Sequence, residues 1–177
     1  PGEHNRRNAT LVLKTLERLK LGENSANRDA VNSFPGTKRR FEKLADNLYS
    51  DYGHHPAEIA ATLQMARELS DYVVLVYQPH QNIRQHELQE QYTNDVIKDA
   101  SEIYWLPTYL TREDPSLETL TPQQLTKNIT APSLHITALD DNLRRAITEH
   151  RDTGHLVLCM GAGSIDGWLR QQFGASL

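Results

Sequence analysis

The sequence predicts an α/β domain in which a mostly parallel sheet carries helices on both faces. Two continuous apolar runs, residues 72–77 and 156–160, are typical of parallel strands that are buried on both sides. Segments with helical periodicity alternate with shorter strand candidates along residues 44–173, and this alternation indicates crossover connections between parallel strands. A chain of 177 residues can bury one sizeable core, or one domain with part of another.

Composition and charge exclude several classes of function. The net charge is −4, so the chain lacks the basic surface that nucleic-acid binding needs. The longest aliphatic run, residues 73–76, is far too short to cross a bilayer, and no signal peptide is visible at the start. The single cysteine, Cys159, lies in an apolar run without an internal disulfide partner, which fits a reducing compartment. We therefore expect a cytoplasmic protein that binds neither nucleic acid nor membrane.

Two helices are expected before the α/β part begins. Leucines within residues 4–21 recur with helical spacings, and Gly22 is placed to end this helix. A second, short helix is expected to run through Val31, and the pattern changes at residues 34–36, so we place a domain boundary near Ser33. The chain starts without an initiator methionine, and we interpret it as a fragment of a longer protein whose missing part would cover these helices.

The remaining elements follow from apolar patterns and capping signals. A turn and a short strand are expected before residue 51, and Ile59, Leu63 and Ala66 form the apolar stripe of the helix that follows. Thr121, with Gln124 three residues later, predicts another helix start. Further strands are expected at 72–77, 103–106, 133–136 and 156–160, and further helices at 86–96, at 139–150 and from residue 164 to residue 173.

The most informative stretch is the loop between the strand that ends near residue 51 and the next helix. Asp51, Tyr52, His54 and His55 project from this loop at the carboxyl end of the strand, where open α/β sheets bind their ligands. Glu58 is placed to cap the helix, and the histidines can also be plain capping and surface residues, so both interpretations stay open. Adjacent histidines point in different directions and no second Cys/His pair follows, so a metal site is not expected.

Two more loops follow strand candidates, at residues 78–84 and 161–164. Because parallel strands place their carboxyl ends on one edge, the three loops are expected to be able to build one site. The glycines at 161 and 163 would let backbone N–H groups approach an anion, or they would only form a tight turn. The glycine-rich motif of dinucleotide-binding domains is incomplete, because Asp166 stands where that motif requires glycine. Arg84 could bind a carboxylate or a phosphate through two N–H groups of its guanidinium. It could equally be a solvated residue at the start of a helix.

Five motifs occur together along the chain. They are GEHN at residues 2–5, GTKRRF at 36–41, DYGHHP at 51–56, YQPH at 77–80 and MGAGSI at 160–165. This combination resembles the carboxyl-terminal part of the Mur ligase family, and GTKRRF and DYGHHP resemble most closely the branch that adds alanine. The resemblance covers nearly the whole chain.

The resemblance implies a complete enzyme with three domains: one for the UDP sugar, a central ATPase, and a carboxyl-terminal Rossmann-like domain. Residues 1–33 would be a helical end of the central domain, and residues 34–177 the amino-acid-binding domain. The implied reaction is amide-bond formation that requires ATP and Mg²⁺. The carboxylate of UDP-N-acetylmuramate becomes an acyl phosphate, and the amine of the incoming amino acid, L-alanine, displaces phosphate. The phosphate loop and metal ligands belong to the missing domains, so this chain alone is expected to hold neither ATP nor Mg²⁺ and to be inactive.

The resemblance also implies roles for individual residues. The ATP-contacting positions are Asn5, Asn8, Arg40, Asp51 and Tyr52. The catalytic positions, which also meet the amino acid, are His54, His80 and Arg84. Gly161, Gly163 and Ser164 would line the same amino-acid pocket, and no metal-binding residue is expected. An arginine usually follows the family's Gln-Pro-His, whereas Gln81 stands here, so the identity of the amino acid stays open.

Three alternatives remain at this stage. A murein-peptide ligase joins a preformed tripeptide and would need a wider, more open cleft around His80. A stand-alone nucleotide- or anion-binding module would bind ATP tightly without further domains. A purely structural or interaction domain is the least supported, because the polar loops carry more titratable groups than turns require.

Overall fold

The chain folds into helices and strands that alternate from residue 42 onward. A computed structural model describes residues 1–22, 24–131 and 133–174. Its helices are α1 (Glu3–Leu19), α2 (Asn24–Asn32), α3 (Pro56–Arg67), α4 (Asn82–Leu88), α5 (Asn94–Ile97), α6 (Pro122–Leu125), α7 (Asp141–Asp152) and α8 (Ile165–Phe173). Its strands are β1 (Glu42–Ala45), β2 (Leu48–Asp51), β3 (Val73–Tyr77), β4 (Glu102–Trp105), β5 (Leu134–Ile136) and β6 (Leu156–Met160), and a 3-10 turn (Gln89–Gln91) follows α4.

The six strands form one sheet in the order β1-β2-β6-β3-β4-β5. β1 and β2 make an antiparallel hairpin, and the other neighbours pair in parallel. The two apolar runs of the sequence are the adjacent central strands β3 and β6; every residue in them is buried, and Leu75 pairs with Leu158. The predicted α/β class with a mostly parallel sheet is therefore confirmed.

Helices cover both faces of this sheet. On one face, α3 to α6 pack over residues such as Leu75 and Tyr77 of β3. On the other face, α7 and α8 pack over Val74 and Val76. Because successive strand residues point to opposite faces, a strand between two helix layers must be apolar at every position. Cys159 lies in the second layer, and burial raises the pKa of its thiol well above the usual value, so it is a packing residue and an unreactive thiol.

The prediction of a continuous helix at residues 86–96 is wrong. α4 ends at Leu88, and Tyr92 adopts an extended conformation (φ −77°, ψ 95°) before α5 begins. The Tyr92 hydroxyl donates to Gln85 Oε1 at 2.7 Å, and its ring packs edge-on against Trp105 with ring centroids 5.0 Å apart. Burial of one large side chain here overrides the helical spacing of the sequence.

The first helix also ends earlier than expected. Lys20 takes the left-handed conformation (φ 55°, ψ 38°), and its N–H donates to the carbonyl oxygen of Glu17. Leu21 N–H then donates to the Leu16 carbonyl at 3.0 Å, which satisfies a further free carbonyl of the last turn. The helix is therefore already capped before Gly22, the residue expected to end it.

α1 and α2 form a pair that lies beside the sheet. Every residue of both helices is at least partly exposed. The pair is fastened to α3 mainly through Glu68, whose carboxylate accepts from the Arg6 guanidinium at 2.8 Å and from Gly2 N–H at 3.0 Å. Hydrogen bonds from Arg6, Gln64 and Gly2 lower the pKa of Glu68 to about 2. Within the described ranges, no helix is long and apolar enough to cross a membrane.

A polar aromatic cluster occupies the edge formed by the amino ends of the strands. Its members are Tyr72, Glu102, Tyr104, His135, His150 and His155. The Glu102 carboxylate is at its centre: it accepts from the Tyr104 hydroxyl at 2.8 Å and from the Tyr72 hydroxyl at 3.2 Å. Nε2 of His135 lies 3.2 Å from the same carboxylate. Burial opposes ionisation of Glu102, but these neighbours outweigh burial, and the pKa of Glu102 lies below its usual 4.5.

We expect Glu102→Gln to lower the free energy of unfolding by about 1–2 kcal/mol at neutral pH, because an uncharged amide accepts the two hydroxyl hydrogen bonds less well. A lowered pKa in the folded state stabilises the fold above the usual pKa, and this contribution is lost as the pH falls through the lowered value. The difference between Glu102→Gln and the parent chain should therefore shrink below pH 4.5. Urea denaturation at several pH values measures this difference in the free energy of unfolding, and Glu87→Gln, which changes an exposed carboxylate, is the control. A difference that stays constant down to low pH would contradict the expectation.

Candidate functional site

The three predicted loops meet on one edge of the sheet, at the carboxyl ends of β2, β6 and β3. Gly161 N–H donates to the carbonyl of Asp51 at 3.1 Å, and Gln78 N–H donates to the carbonyl of Met160 at 2.9 Å. The first bond joins the residue after β6 to the last residue of β2, and the second joins the residue after β3 to the last residue of β6. We call this edge the carboxyl rim; it brings residues 51–55, 78–81 and 161–164 together, as the parallel topology predicts.

Asp51 ends β2 and organises the first loop. Its Oδ2 accepts from Phe41 N–H at 2.8 Å and its Oδ1 accepts from Gly53 N–H at 2.7 Å. The residue is only 7% exposed. Two of the roughly four lone-pair sites on the carboxylate are used by these bonds, so acceptor capacity remains for a ligand. Asp51 therefore fixes the backbone on both sides of β2 and keeps acceptor capacity at the rim.

The start of α3 uses the second histidine of the pair as a cap. Nδ1 of His55 accepts from Ala57 N–H at 3.2 Å, and Glu58 Oε2 accepts from the backbone N–H groups of His54 and His55 at 2.9 and 3.0 Å. Pro56 takes the first helical position. Burial raises the pKa of Glu58, but the two backbone donors outweigh burial and lower the pKa. The capping interpretation is thus correct for His55, and it leaves the ring of His54 free of this task.

Two arginines lie close to the ring of Tyr52. The guanidinium carbon of Arg39 lies 4.6 Å from the ring centroid and that of Arg40 lies 5.5 Å from it. Arg39 also donates from Nη2 to the Gly161 carbonyl at 3.0 Å, and its Nε lies 3.6 Å from Asp166 Oδ2. Arg39 thus joins the first loop to the third.

Four aromatic rings run in a row along the carboxyl rim. Tyr52 and His54 meet edge to face with centroids 5.6 Å apart, and His54 meets His80 in the same way at 5.8 Å. His80 then stacks on Tyr109, with centroids 5.7 Å apart and planes 8° apart. We call these residues the aromatic row. It links the position predicted to meet the nucleotide with the position predicted to meet the amino acid.

The pKa of His80, in the aromatic row, is lowered. Burial is the largest cause that lowers its pKa below the usual 6.5; the neighbouring His54 and Arg84 lower it further, and Glu113 acts in the opposite direction. The neutral imidazole is therefore the form that this site favours at neutral pH. A neutral imidazole can accept a proton, whereas an imidazolium cannot.

We expect the His80 ring to titrate below pH 6.5 in an NMR titration of the folded chain. Arg84→Ala should raise the titration midpoint towards 6.5, because it removes a nearby positive charge; Arg144→Ala, on the far helix α7, should leave the midpoint unchanged. Since a protonated His80 is disfavoured in the folded state, the free energy of unfolding should also fall as the pH drops below 6.5. A midpoint at or above 6.5 would contradict this description of the site.

The third loop is held by a single buried side chain. Gln78, which directly follows β3, donates from Nε2 to the Ser164 hydroxyl at 3.1 Å and accepts at Oε1 from Ile165 N–H at 3.0 Å. A Cβ at Gly161 would lie 2.8 Å from the Gln78 carbonyl oxygen, so glycine is required there for close backbone approach. Gln78 was not among the predicted site residues, although its place directly after a buried strand was a usable signal.

Arg84 lies inside α4, which begins at Asn82, so the loop expected at residues 78–84 is shorter than predicted. The Arg84 side chain is half exposed and pairs with Glu87 at 3.8 Å. Its positive charge is the smallest of the causes that lower the pKa of His80. The guanidinium therefore stands near the aromatic row without a buried partner of its own among the described residues.

Asn5 and Asn8 lie on α1, away from the other predicted ATP-contacting residues. Nδ2 of Asn5 is 3.2 Å from Met65 Sδ, near the carboxyl-terminal end of α3, whereas Asp51 and Tyr52 precede the opposite end of this helix. Nine residues of helix separate Pro56 from Met65, a rise of about 13 Å. The structure therefore does not bring the two asparagines together with Asp51.

The described ranges contain no group of three His, Cys, Asp or Glu side chains arranged to hold a metal ion. The rim instead offers an aromatic ring beside two guanidiniums, a buried carboxylate, a neutral imidazole and a half-exposed arginine. This set of groups suits an organic anion or a nucleoside. The carboxyl edge of a parallel α/β sheet is the place where domains of this architecture bind small molecules.

Comparison with known proteins identifies the family. The family model described as "Mur ligase, glutamate ligase domain" matches residues 39–163. The chain belongs to the Mur ligase family. It is 33% identical to the UDP-N-acetylmuramate–L-alanine ligase of Jannaschia sp. and 34% identical to that of Xanthobacter autotrophicus, in each case over 95% of this chain. It spans 36% and 37% of the length of these two relatives.

Solved structures share the fold. The UDP-N-acetylmuramate–alanine ligase of Thermotoga maritima matches 97% of this chain with a TM-score of 0.69 at 23% identity. A murein peptide ligase of Psychrobacter arcticus matches 100% of it with a TM-score of 0.58 at 24% identity. This chain covers 37% and 38% of those two chains.

Proposed function

We propose that this chain is the carboxyl-terminal, amino-acid-binding part of an ATP-dependent ligase that joins L-alanine to UDP-N-acetylmuramate in peptidoglycan synthesis. The observation that carries the proposal is the convergence of Asp51, His54, His80 and Gly163 on one rim in a chain that belongs to the Mur ligase family. The relatives named above support L-alanine as the amino acid. The use of ATP and a UDP-linked precursor would place the reaction in the cytoplasm.

The domain assignment is part of the proposal. Residues 34–177 would form the amino-acid-binding domain, and residues 1–33 the helical end of a central ATPase domain. Two observations support this division: α1 and α2 contribute no buried residue of their own, and the family match begins only at residue 39. The large apolar side chains of Leu11 and Leu19 are 68% and 61% exposed, which suits a surface that another domain covers.

The rim offers a place for the nucleoside end of ATP. The Tyr52 ring with its neighbouring arginines would hold the base by stacking and charge, and Asp51, whose carboxylate keeps acceptor capacity, would hold the ribose hydroxyls. ATP supplies the phosphoryl group that activates the muramoyl carboxylate, and Mg²⁺ neutralises its phosphates. The proposal assigns the ligands for Mg²⁺ mainly to the central domain, because no three His, Cys, Asp or Glu side chains of the described residues form a group that could hold the ion by themselves.

The amino acid would bind at the other end of the aromatic row. Arg84 would pair with its carboxylate, since a guanidinium binds a carboxylate in a charge-assisted, two-pronged geometry. His80, which is favoured as the neutral imidazole, would accept the proton that the amine must lose before it attacks. Gly161, Gly163 and Ser164 would line the remaining side, on the loop that Gln78 holds in place.

The test is a coupled phosphate-release assay on the product of the complete reading frame that contains this sequence. Release that requires ATP, UDP-N-acetylmuramate and L-alanine together is the expected result, and the 177-residue chain alone should be inactive. Release that requires a preformed tripeptide in place of L-alanine would assign the chain to a murein-peptide ligase. Tight ATP binding by the 177-residue chain in isothermal titration would instead favour a stand-alone nucleotide-binding module.

A further inference from the structure

The segment between β4 and α6 is fastened to the carboxyl rim by backbone hydrogen bonds. Tyr109 N–H donates to the Pro79 carbonyl at 2.8 Å, and Gln81 N–H donates to the Tyr109 carbonyl at 2.9 Å. The two segments thus pair like short parallel strands, with Tyr109 directly beside His80. Sequence reasoning assigned no role to Tyr109, because the many turn residues of this segment give no periodic pattern.

The Tyr109 ring lies between two positions that are predicted to contact the amino acid. One face stacks on His80, with the ring planes only 8° apart. A Cβ at Gly163 would lie 2.6 Å from Cβ and from Cγ of Tyr109, so the base of the Tyr109 side chain touches the backbone of the third loop. Only glycine at position 163 leaves room for this contact. Tyr109 therefore fills the space between His80 and the loop of residues 161–164.

The same segment occupies the backbone donors of α4. Glu113 Oε2 accepts from Asn82 N–H at 2.8 Å and from Ile83 N–H at 3.3 Å, and its Oε1 accepts from Thr111 N–H. A substrate carboxylate cannot use these donors while Glu113 holds them. Of the cations on α4, the half-exposed Arg84 side chain is the one that stays available to such a carboxylate.

We infer that Tyr109 is a specificity-determining residue: its ring forms the wall that limits the amino-acid subsite to a side chain about as small as that of alanine. The inference rests on the proposed function. Its physical basis is steric: Tyr109 is 38% exposed, but its ring stacks on His80 and its Cβ and Cγ touch the Gly163 backbone, so moving aside for extra methylene groups would break both contacts. A wall of this kind discriminates by about tenfold to 200-fold per added methylene or methyl group.

The test uses the ligase encoded by the complete reading frame and compares kcat/KM for L-alanine and L-valine. Tyr109→Ala should raise the valine-to-alanine ratio of kcat/KM by at least about tenfold, because it removes the wall. Tyr109→Phe should keep the parent ratio, because the ring is retained. Leu110→Ala changes an exposed neighbour in the same segment and serves as the matched control; it too should keep the parent ratio.

The possible outcomes separate a failure of this inference from a failure of the proposed function. If Tyr109→Ala lowers kcat/KM for both amino acids equally, the ring is only structural and the inference fails while the proposed function stands. If the parent enzyme shows no alanine-dependent turnover, the proposed function itself fails. If Tyr109→Ala does not fold, Tyr109→Leu, which retains an apolar contact with Gly163, replaces it in the same comparison. An increased valine-to-alanine ratio of kcat/KM then upholds the inference, and an unchanged ratio overturns it.

Discussion

Replacing Asp51 with alanine is expected to destabilise the folded chain by about 2–4 kcal/mol, because two backbone N–H groups lose their acceptor at once. The donors are those of Phe41 and Gly53, one on each side of β2, and the carboxylate that serves them is 7% exposed. Water cannot easily replace a buried carboxylate, so each unsatisfied donor retains much of its desolvation cost. Urea denaturation of the 177-residue chain, followed by circular dichroism, measures the loss.

Two further variants make this result specific. Asp51→Asn retains one acceptor oxygen and should lose roughly half as much stability as Asp51→Ala, about 1–2 kcal/mol. Asp71→Asn changes an exposed carboxylate just before β3 and should stay within about 0.5 kcal/mol of the parent. A midpoint for Asp51→Ala equal to that of the parent would contradict the conclusion that this carboxylate organises the first loop of the rim.

Arg84→Ala is expected to raise KM for L-alanine by about 10- to 150-fold in the ligase encoded by the complete reading frame, the equivalent of one charge-assisted hydrogen-bonded contact. The KM values for ATP and UDP-N-acetylmuramate should change little, because Arg84 lies at the amino-acid end of the aromatic row. Initial rates at varied concentrations of each substrate provide the three constants.

Arg144→Ala is the matched control for this prediction. Arg144 sits on the surface of α7 and pairs with Asp141 three residues away, as Arg84 pairs with Glu87 on α4. The control should leave all three KM values unchanged. Equal increases in KM for every substrate, or no increase for L-alanine, would show that Arg84 does not bind the substrate's carboxylate.

The sequence predicted the parts of the fold that depend on local patterns. Continuous apolar runs identified β3 and β6, and the spacing of Thr121 and Gln124 predicted a capping box that the structure contains. The prediction of a helix at residues 86–96 was wrong because the Tyr92 side chain is buried in the core, where it packs against Trp105. Periodicity cannot reveal that a single aromatic ring is buried more favourably outside a helix.

The candidate site was predictable only as far as strand order allows. Parallel topology places residues 51–55, 78–81 and 161–164 on one rim, and the motif resemblance gave expected roles to His54, His80 and Arg84. The contacts that hold these residues in place depend on long-range packing that no local pattern contains: Gln78 and Ser164 are 86 positions apart, and Arg39 and Gly161 are 122 apart. Tyr109 escaped notice for the same reason.

The most direct test of the central claim, that the carboxyl rim forms the amino-acid half of a ligase site, is a crystal structure of the complete reading-frame product with L-alanine and a non-hydrolysable ATP analogue. The account predicts the L-alanine carboxylate at about 2.7–2.9 Å from the Arg84 guanidinium, with the methyl group facing the Tyr109 ring between His80 and Gly163. Density for L-alanine at any other place on the protein, with the rim occupied by solvent alone, would contradict it.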